Sequence, residues 1–247
     1  MPKLSPEERI ARGRTDLIVE LLDDSAWRER MTNGSASIIN WLCFYGDVTA
    51  LKLVEEREPD LRSLGLKLND ELWGCSFFGH WRTVDFLLAR GAEVNSKIPG
   101  CEETALHCAL CKPGSDYYLH TVRLLLDHGA DPNACTVPGQ STASFMRDVR
   151  VYGETPLHRA AAFGTAEMIQ LLLDKGADRE AKDCRGDSPL SWASWHCRPG
   201  EILEMLQFGE HKIGPAAQKV IRSDHGAGWG NGMENEFIGE YLPESVS

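Results

Sequence analysis

Glycine returns on a fixed count in this chain: Gly13, Gly46 and Gly79 stand 33 residues apart. A period of that length means that one small supersecondary unit is reused, and that each copy must bury its apolar face against its neighbours. After each of these glycines comes an aliphatic segment, at 16–22, 48–54 and 83–88, with apolar residues at i, i+3 and i+4. Each predicts an amphipathic helix.

Later copies add a second half to the pattern. Leu87-Leu-Ala-Arg-Gly-Ala-Glu-Val-Asn95, Leu124-Leu-Leu-Asp-His-Gly-Ala-Asp-Pro-Asn133 and Leu171-Leu-Leu-Asp-Lys-Gly-Ala-Asp178 each place glycine just past the last helical turn, where a left-handed terminator is expected. The first helix of a copy opens with Thr155-Pro-Leu-His-Arg-Ala160, or with its variants Thr104-Ala-Leu-His107 and Ser188-Pro-Leu-Ser191. Threonine or serine caps such a helix, and proline fits its first position because the missing N–H has no partner there in any case.

On these residues the chain resembles the ankyrin-repeat family. The resemblance covers residues 4–212 in about six units, near 4–30, 37–69, 70–103, 104–150, 155–187 and 188–212, with Asn40 and Trp73 where the motif has histidine. It implies an all-α solenoid of helix-turn-helix units joined by hairpin-like loops. The charged N-terminal segment fits a polar capping unit, with Ser5 and Glu8 spaced as a capping box.

The register is broken twice. Successive Gly-Ala signatures are 38 residues apart from Gly91 to Gly129 and 47 from Gly129 to Gly176. The smaller excess falls at 112–118, where Pro113 and Gly114 interrupt the helical pattern. The larger falls at 135–152, a polar finger carrying Arg147 and Arg150. Residues 1–212 are therefore expected to form the array, with this loop insertion, and 213–247 a glycine-rich, acidic C-terminal extension.

Charge narrows the partners. Against 26 Lys+Arg stand 37 Asp+Glu, a formal charge of -11, which repels phosphate backbones and anionic lipid surfaces and favours a basic segment. No nucleic acid or membrane partner is expected. The eight cysteines are scattered through helical patterns, which suits free thiols, and the N-terminus has no apolar h-region. These features predict a cytosolic or nuclear protein.

In the ankyrin geometry that the resemblance implies, the two residues before each unit's glycine end the first helix and face a concave groove. They are Phe44 and Tyr45, Phe77 and Phe78, Cys111 and Lys112, Ala162 and Phe163, and Trp195 and His196. Aromatics recur at this edge, and contiguous exposed apolar surface marks interaction sites. Padding between repeats would place aromatics there too. Phe44, Tyr45, Phe77, Phe78, Lys112, Phe163, Trp195 and His196, with Arg147 and Arg150 of the finger, are the candidate partner contacts.

Catalytic chemistry finds little purchase. The resemblance gives His107 and His158 a loop-holding role. Cys101, His107, Cys108 and Cys111 lie close in sequence, but no second Cys-x2-Cys pair completes a zinc site. The glycines at 226–232 lack the strand and the Lys-Ser/Thr of a phosphate loop. No cofactor or metal is expected, and the chain is expected to be a protein-binding adaptor or scaffold rather than an enzyme. Two alternatives remain at this level: a regulatory or inhibitory subunit acting through its C-terminal tail, and an unusual enzyme or metal- or ligand-binding protein around Cys111, Trp195 and His196.

Overall fold

A short amphipathic helix leaves its apolar stripe in water unless another helix covers it, and the computed structural model shows how this chain solves that problem. The structure describes residues 4–32, 37–112, 116–144 and 150–209, and contains thirteen α-helices and no strand among them. The expected extension at 213–247 and Arg147 lie outside the described residues.

The helices alternate between two rows. Helices α4 (Ile38–Tyr45), α6 (Leu68–Phe78), α8 (Ala105–Ala109), α10 (Pro156–Phe163) and α12 (Pro189–Trp195) pack one on the next as an inner row. Helices α5 (Val48–Arg57), α7 (Trp81–Leu88), α9 (Asp116–Asp127), α11 (Ala166–Asp174) and α13 (Gly200–Leu206) form the outer row. At the N-terminal end α1 (Pro6–Ile10) covers α4, α2 (Ile18–Leu22) covers α5, and α3 (Trp27–Thr32) packs against both α2 and α4. Leu21, Leu42, Leu51, Leu72, Leu87, Leu106, Leu125, Leu157 and Leu172 carry one continuous core along the array.

Local chemistry sets the helix ends. Ser5 and Glu8 form the capping box of α1, Asp47 accepts from the Ala50 amide, and Thr165 from the Met168 amide. Gly46 and Gly79 close α4 and α6 at φ +69° and +73°, and Gly91, Gly129 and Gly176 are left-handed as well. Gly46 is doubly constrained, because a Cβ there would stand 2.6 Å from the His80 ring.

The motif histidines hold loops, as the family resemblance implies. His107 Nδ1 accepts from the Thr104 amide, which leaves Nε2–H to donate to Glu154 O at 3.3 Å; His158 does the same between Thr155 and Asp187. Burial, with Arg159 nearby, pulls His107 down to about 3, so it stays neutral. Trp73, in the histidine's place, performs the task from the other side of its helix pair: its Nε1–H donates to Ser96 at 3.1 Å.

Successive loops are also tied to one another. Asn95 donates to Gly129 O and accepts from the Asp131 amide, and Asn133 repeats both bonds with Gly176 O and Asp178 N, at 2.8–2.9 Å. The asparagine of Gly-Ala-x-x-Asn is thus the rung between one loop and the next. Asn133→Ala should lower stability by about 1 kcal/mol, and Asn133→Asp, which keeps the acceptor and loses the donor, by less. Urea unfolding of the three proteins checks the order.

Candidate partner-binding face

Why aromatics precede the glycines follows from the backbone beneath them. The carbonyl two residues before each glycine lies at the open end of an inner helix and has no partner within it. A side chain of the following unit supplies one: Tyr45 OH donates to Ala11 O, His80 Nε2–H to Phe44 O, Tyr118 OH to Phe77 O and Arg198 Nη1 to Ala162 O, all at 3.0–3.1 Å. Tyr45 also covers Gly13, and Tyr118 covers Gly79. The edge is therefore stitched unit to unit, and Tyr45 is occupied in that stitching.

Phe44 and Phe78 are not used up in the same way. They meet edge-to-face at 5.0 Å and keep 44% and 37% of their surfaces exposed. Phe77 joins Phe78 at 5.1 Å, Tyr45 joins Phe44 at 5.0 Å, and Trp41, one turn before Tyr45, stacks on it. Lys112 closes the far end, its ammonium 3.8 Å from the Phe77 ring centre and 5.2 Å from that of Phe78. Five of the expected contacts, Phe44, Tyr45, Phe77, Phe78 and Lys112, thus form one strip across units two to four.

Beside the strip, a cavity of about 220 Å³ opens in the seam between α4 and α6. From α4 it is lined by Asn40, Trp41, Cys43 and Phe44; Glu71, Gly74, Cys75 and Phe78 line it from α6. Burial, with Asp70 alongside, pushes the Glu71 carboxyl up to about 7, against the opposing pull of the Cys43 thiol and Lys67. Sequence reasoning missed Trp41, Asn40 and Glu71. Trp41 sits one helical turn before Phe44 and Tyr45, a spacing that could have found it; the pairing of α4 with α6 could not be read from either helix alone.

The remaining contacts fall elsewhere. Phe163, expected at the groove, is only 7% exposed: Ala162 beside it gives no bulk to lift it, and the His196 ring closes over it at 4.9 Å. It is therefore not an exposed contact. Burial, then Arg198, brings His196 down to about 4, which keeps that ring neutral. Trp195 is 64% exposed, and Arg150 is exposed with its guanidinium bound to Gly139 O.

The 135–152 finger is not the freely projecting polar loop that its composition suggests. Its base is pinned on a buried ion network. Arg159, fully buried, binds Glu154 through Nε and Nη2 and also Glu103 and His107 O. Glu154 accepts from Thr136 and the Tyr152 amide, and Glu103 from Thr142, the Ala143 amide and Ser144. Burial opposes charge on both carboxylates, yet Arg159 wins, holding Glu154 near 2 and Glu103 below its ordinary range. An antiparallel bridge from Ser141 to Arg150 closes the loop above.

The cysteines beside this network are poor ligands or nucleophiles. Burial pushes Cys111 up to about 12 and Cys108 higher still, so neither offers a thiolate near neutral pH. Ser144 donates to the Cys108 sulfur at 3.1 Å. No helix among the described residues is long and apolar enough to cross a membrane.

Comparison with known proteins agrees with this architecture. Three family models match in succession: ankyrin repeats (many copies) over 72–112, a single ankyrin repeat over 101–137, and ankyrin repeats (3 copies) over 139–217, together more than half of the chain. The zebrafish (Danio rerio) ankyrin repeat and SOCS box protein 11 is 34% identical over 47% of the chain and 33% of its own length. Human (Homo sapiens) rabankyrin-5 is 35% identical over 43% of the chain and 9% of its own length. Human ankyrin repeat domain-containing protein 63 is 34% identical over 49% and 28%. The chain spans a third or less of the length of these relatives.

Two titrations separate the buried charges. Arg159→Met leaves two buried carboxylates unpaired and should cost ~3–5 kcal/mol at pH 7. The deficit should shrink toward pH 4, because carboxyls whose folded pKa is raised lose stability as pH rises. Glu71 already behaves in that sense: its folded value of about 7 lies above the ordinary 4.5, so its contribution is lost as pH rises through 7. Glu71→Gln should match the parent near pH 5 and exceed it by about 2 kcal/mol at pH 8.5, read by denaturant unfolding.

Proposed function

The chain belongs to the ankyrin-repeat family, whose repeats bind other proteins and whose members are typically not enzymes, and on that premise we propose that it is an adaptor holding a partner segment along the inner-helix face. The strip of Phe44, Phe78 and Phe77 carries this reading. A solenoid needs its inner edge sealed, and the side chains that donate to Ala11, Phe44, Phe77 and Ala162 already do that. Two rings left over a third exposed and in mutual contact are apolar surface beyond what the seal requires.

An extended or helical segment with apolar anchors suits such a strip, and the excess of 37 acidic over 26 basic residues favours one that carries positive charge. Trp195 and Arg150 are secondary contacts in this proposal, and Phe163 is a supporting residue beneath His196.

Phe44→Ala with Phe78→Ala should weaken retention of the partner captured on the immobilised parent protein by about tenfold or more, the scale of losing a hot-spot pair, with an unchanged helical circular dichroism spectrum. Val19→Ala, on the exposed surface of α2, should not. Full retention by the folded double variant would overturn the assignment of this face.

A further inference from the structure

The cavity between α4 and α6 is more specific than an apolar strip requires. Its three rings, Trp41, Phe44 and Phe78, make a wall whose faces favour a cation. Glu71 is the acidic group in its lining, and no basic side chain of the described residues forms a salt bridge with it: Lys67, one turn away, lies 3.8 Å from Asp70 instead. Asn40 adds a buried Oδ1 that has no hydrogen-bond partner among the described residues. A buried acceptor left empty costs free energy that a bound donor would recover.

Gly74 makes the room. It lies inside α6 at an ordinary helical position, where glycine costs about 1 kcal/mol relative to alanine, and a Cβ there would meet nothing within 4 Å. Neither backbone geometry nor packing calls for glycine at that point. What the missing side chain leaves is the open mouth of the cavity. On the other side of Phe78 the strip already seats an ammonium, that of Lys112.

We propose that this cavity receives a basic side chain, lysine or arginine, from the partner segment: its aliphatic stem lies between Phe44 and Phe78, and its charged head reaches Glu71 and Asn40 Oδ1. This rests on the assignment of the inner-helix face as the docking surface, and deepens it. The rings solvate the stem, the carboxylate supplies the charge, and the orphaned amide oxygen accepts one of the donors. A neutral apolar side chain of equal length would fill the same space and leave both acceptors unsatisfied.

The test uses the full chain and three short peptides, Ac-Ala-Leu-X-Leu-Ala-NH2, in which X is lysine, arginine or norleucine. Followed by amide NMR, the lysine or the arginine peptide should shift the Gly74 and Cys75 resonances saturably, and bind about tenfold more tightly than the norleucine peptide. Glu71→Gln should abolish that preference, and Gly74→Leu, which fills the mouth, should remove the shifts. Equal binding of all three peptides, a preference that survives Glu71→Gln, or no shift at Gly74 and Cys75 with any peptide would overturn the inference. The two proposals fail separately. A captured partner that is lost by the Phe44, Phe78 double variant but retained in full by Glu71→Gln removes the basic anchor and leaves the docking face standing; retention by both variants removes both.

Discussion

The carbonyl at the open end of an inner helix is the point on which this array turns. Four times, at Ala11, Phe44, Phe77 and Ala162, it accepts a hydrogen bond from a side chain of the next unit. The donors are chemically unlike, a histidine, two tyrosines and an arginine, but the acceptor always sits two residues before a glycine. Because each unit completes the one before it, stability is a property of neighbouring pairs, and the spacing between inner helices is fixed at their ends as well as in their core. That spacing in turn sets which rings meet along the edge and where a cavity is left between them.

Electrostatics divides the array into a sealed half and an open one. Around the long insertion, Glu103, Arg159 and Glu154 satisfy one another and the loop backbone so completely that an irregularity in the repeat becomes one of its firmest joints. In the seam between α4 and α6 the carboxylate of Glu71 has no such partner. The same physical cost, removal of a charge from water, is offset internally at one place and left open at the other.

The 33-residue glycine register, the caps and the family motif were enough to give helix pairs, left-handed glycines at 46, 79, 91, 129 and 176, and histidines that hold loops. Trp73 in the histidine's place bridges to its loop all the same, because the position demands an N–H at that reach rather than an imidazole. Phe163 shows where the pattern misled: equivalent positions share a backbone environment, but exposure depends on what the next unit places above, and His196 lies there. The finger misled for a similar reason. Its polar residues looked suited to water, and three of them, Thr136, Thr142 and Ser144, are buried on glutamates distant in sequence.

By itself, then, the sequence determined the repeat, its helices and the aromatic character of one edge, because period, capping and turn chemistry act over a few neighbouring residues. Only the tertiary structure decided which aromatics stay exposed, which carboxylates find a guanidinium and which does not. Those outcomes depend on contacts such as Glu103 with Arg159 and Trp41 beside Glu71, which the chain brings together across separate units, and no local pattern records the depth or the neighbours of a side chain.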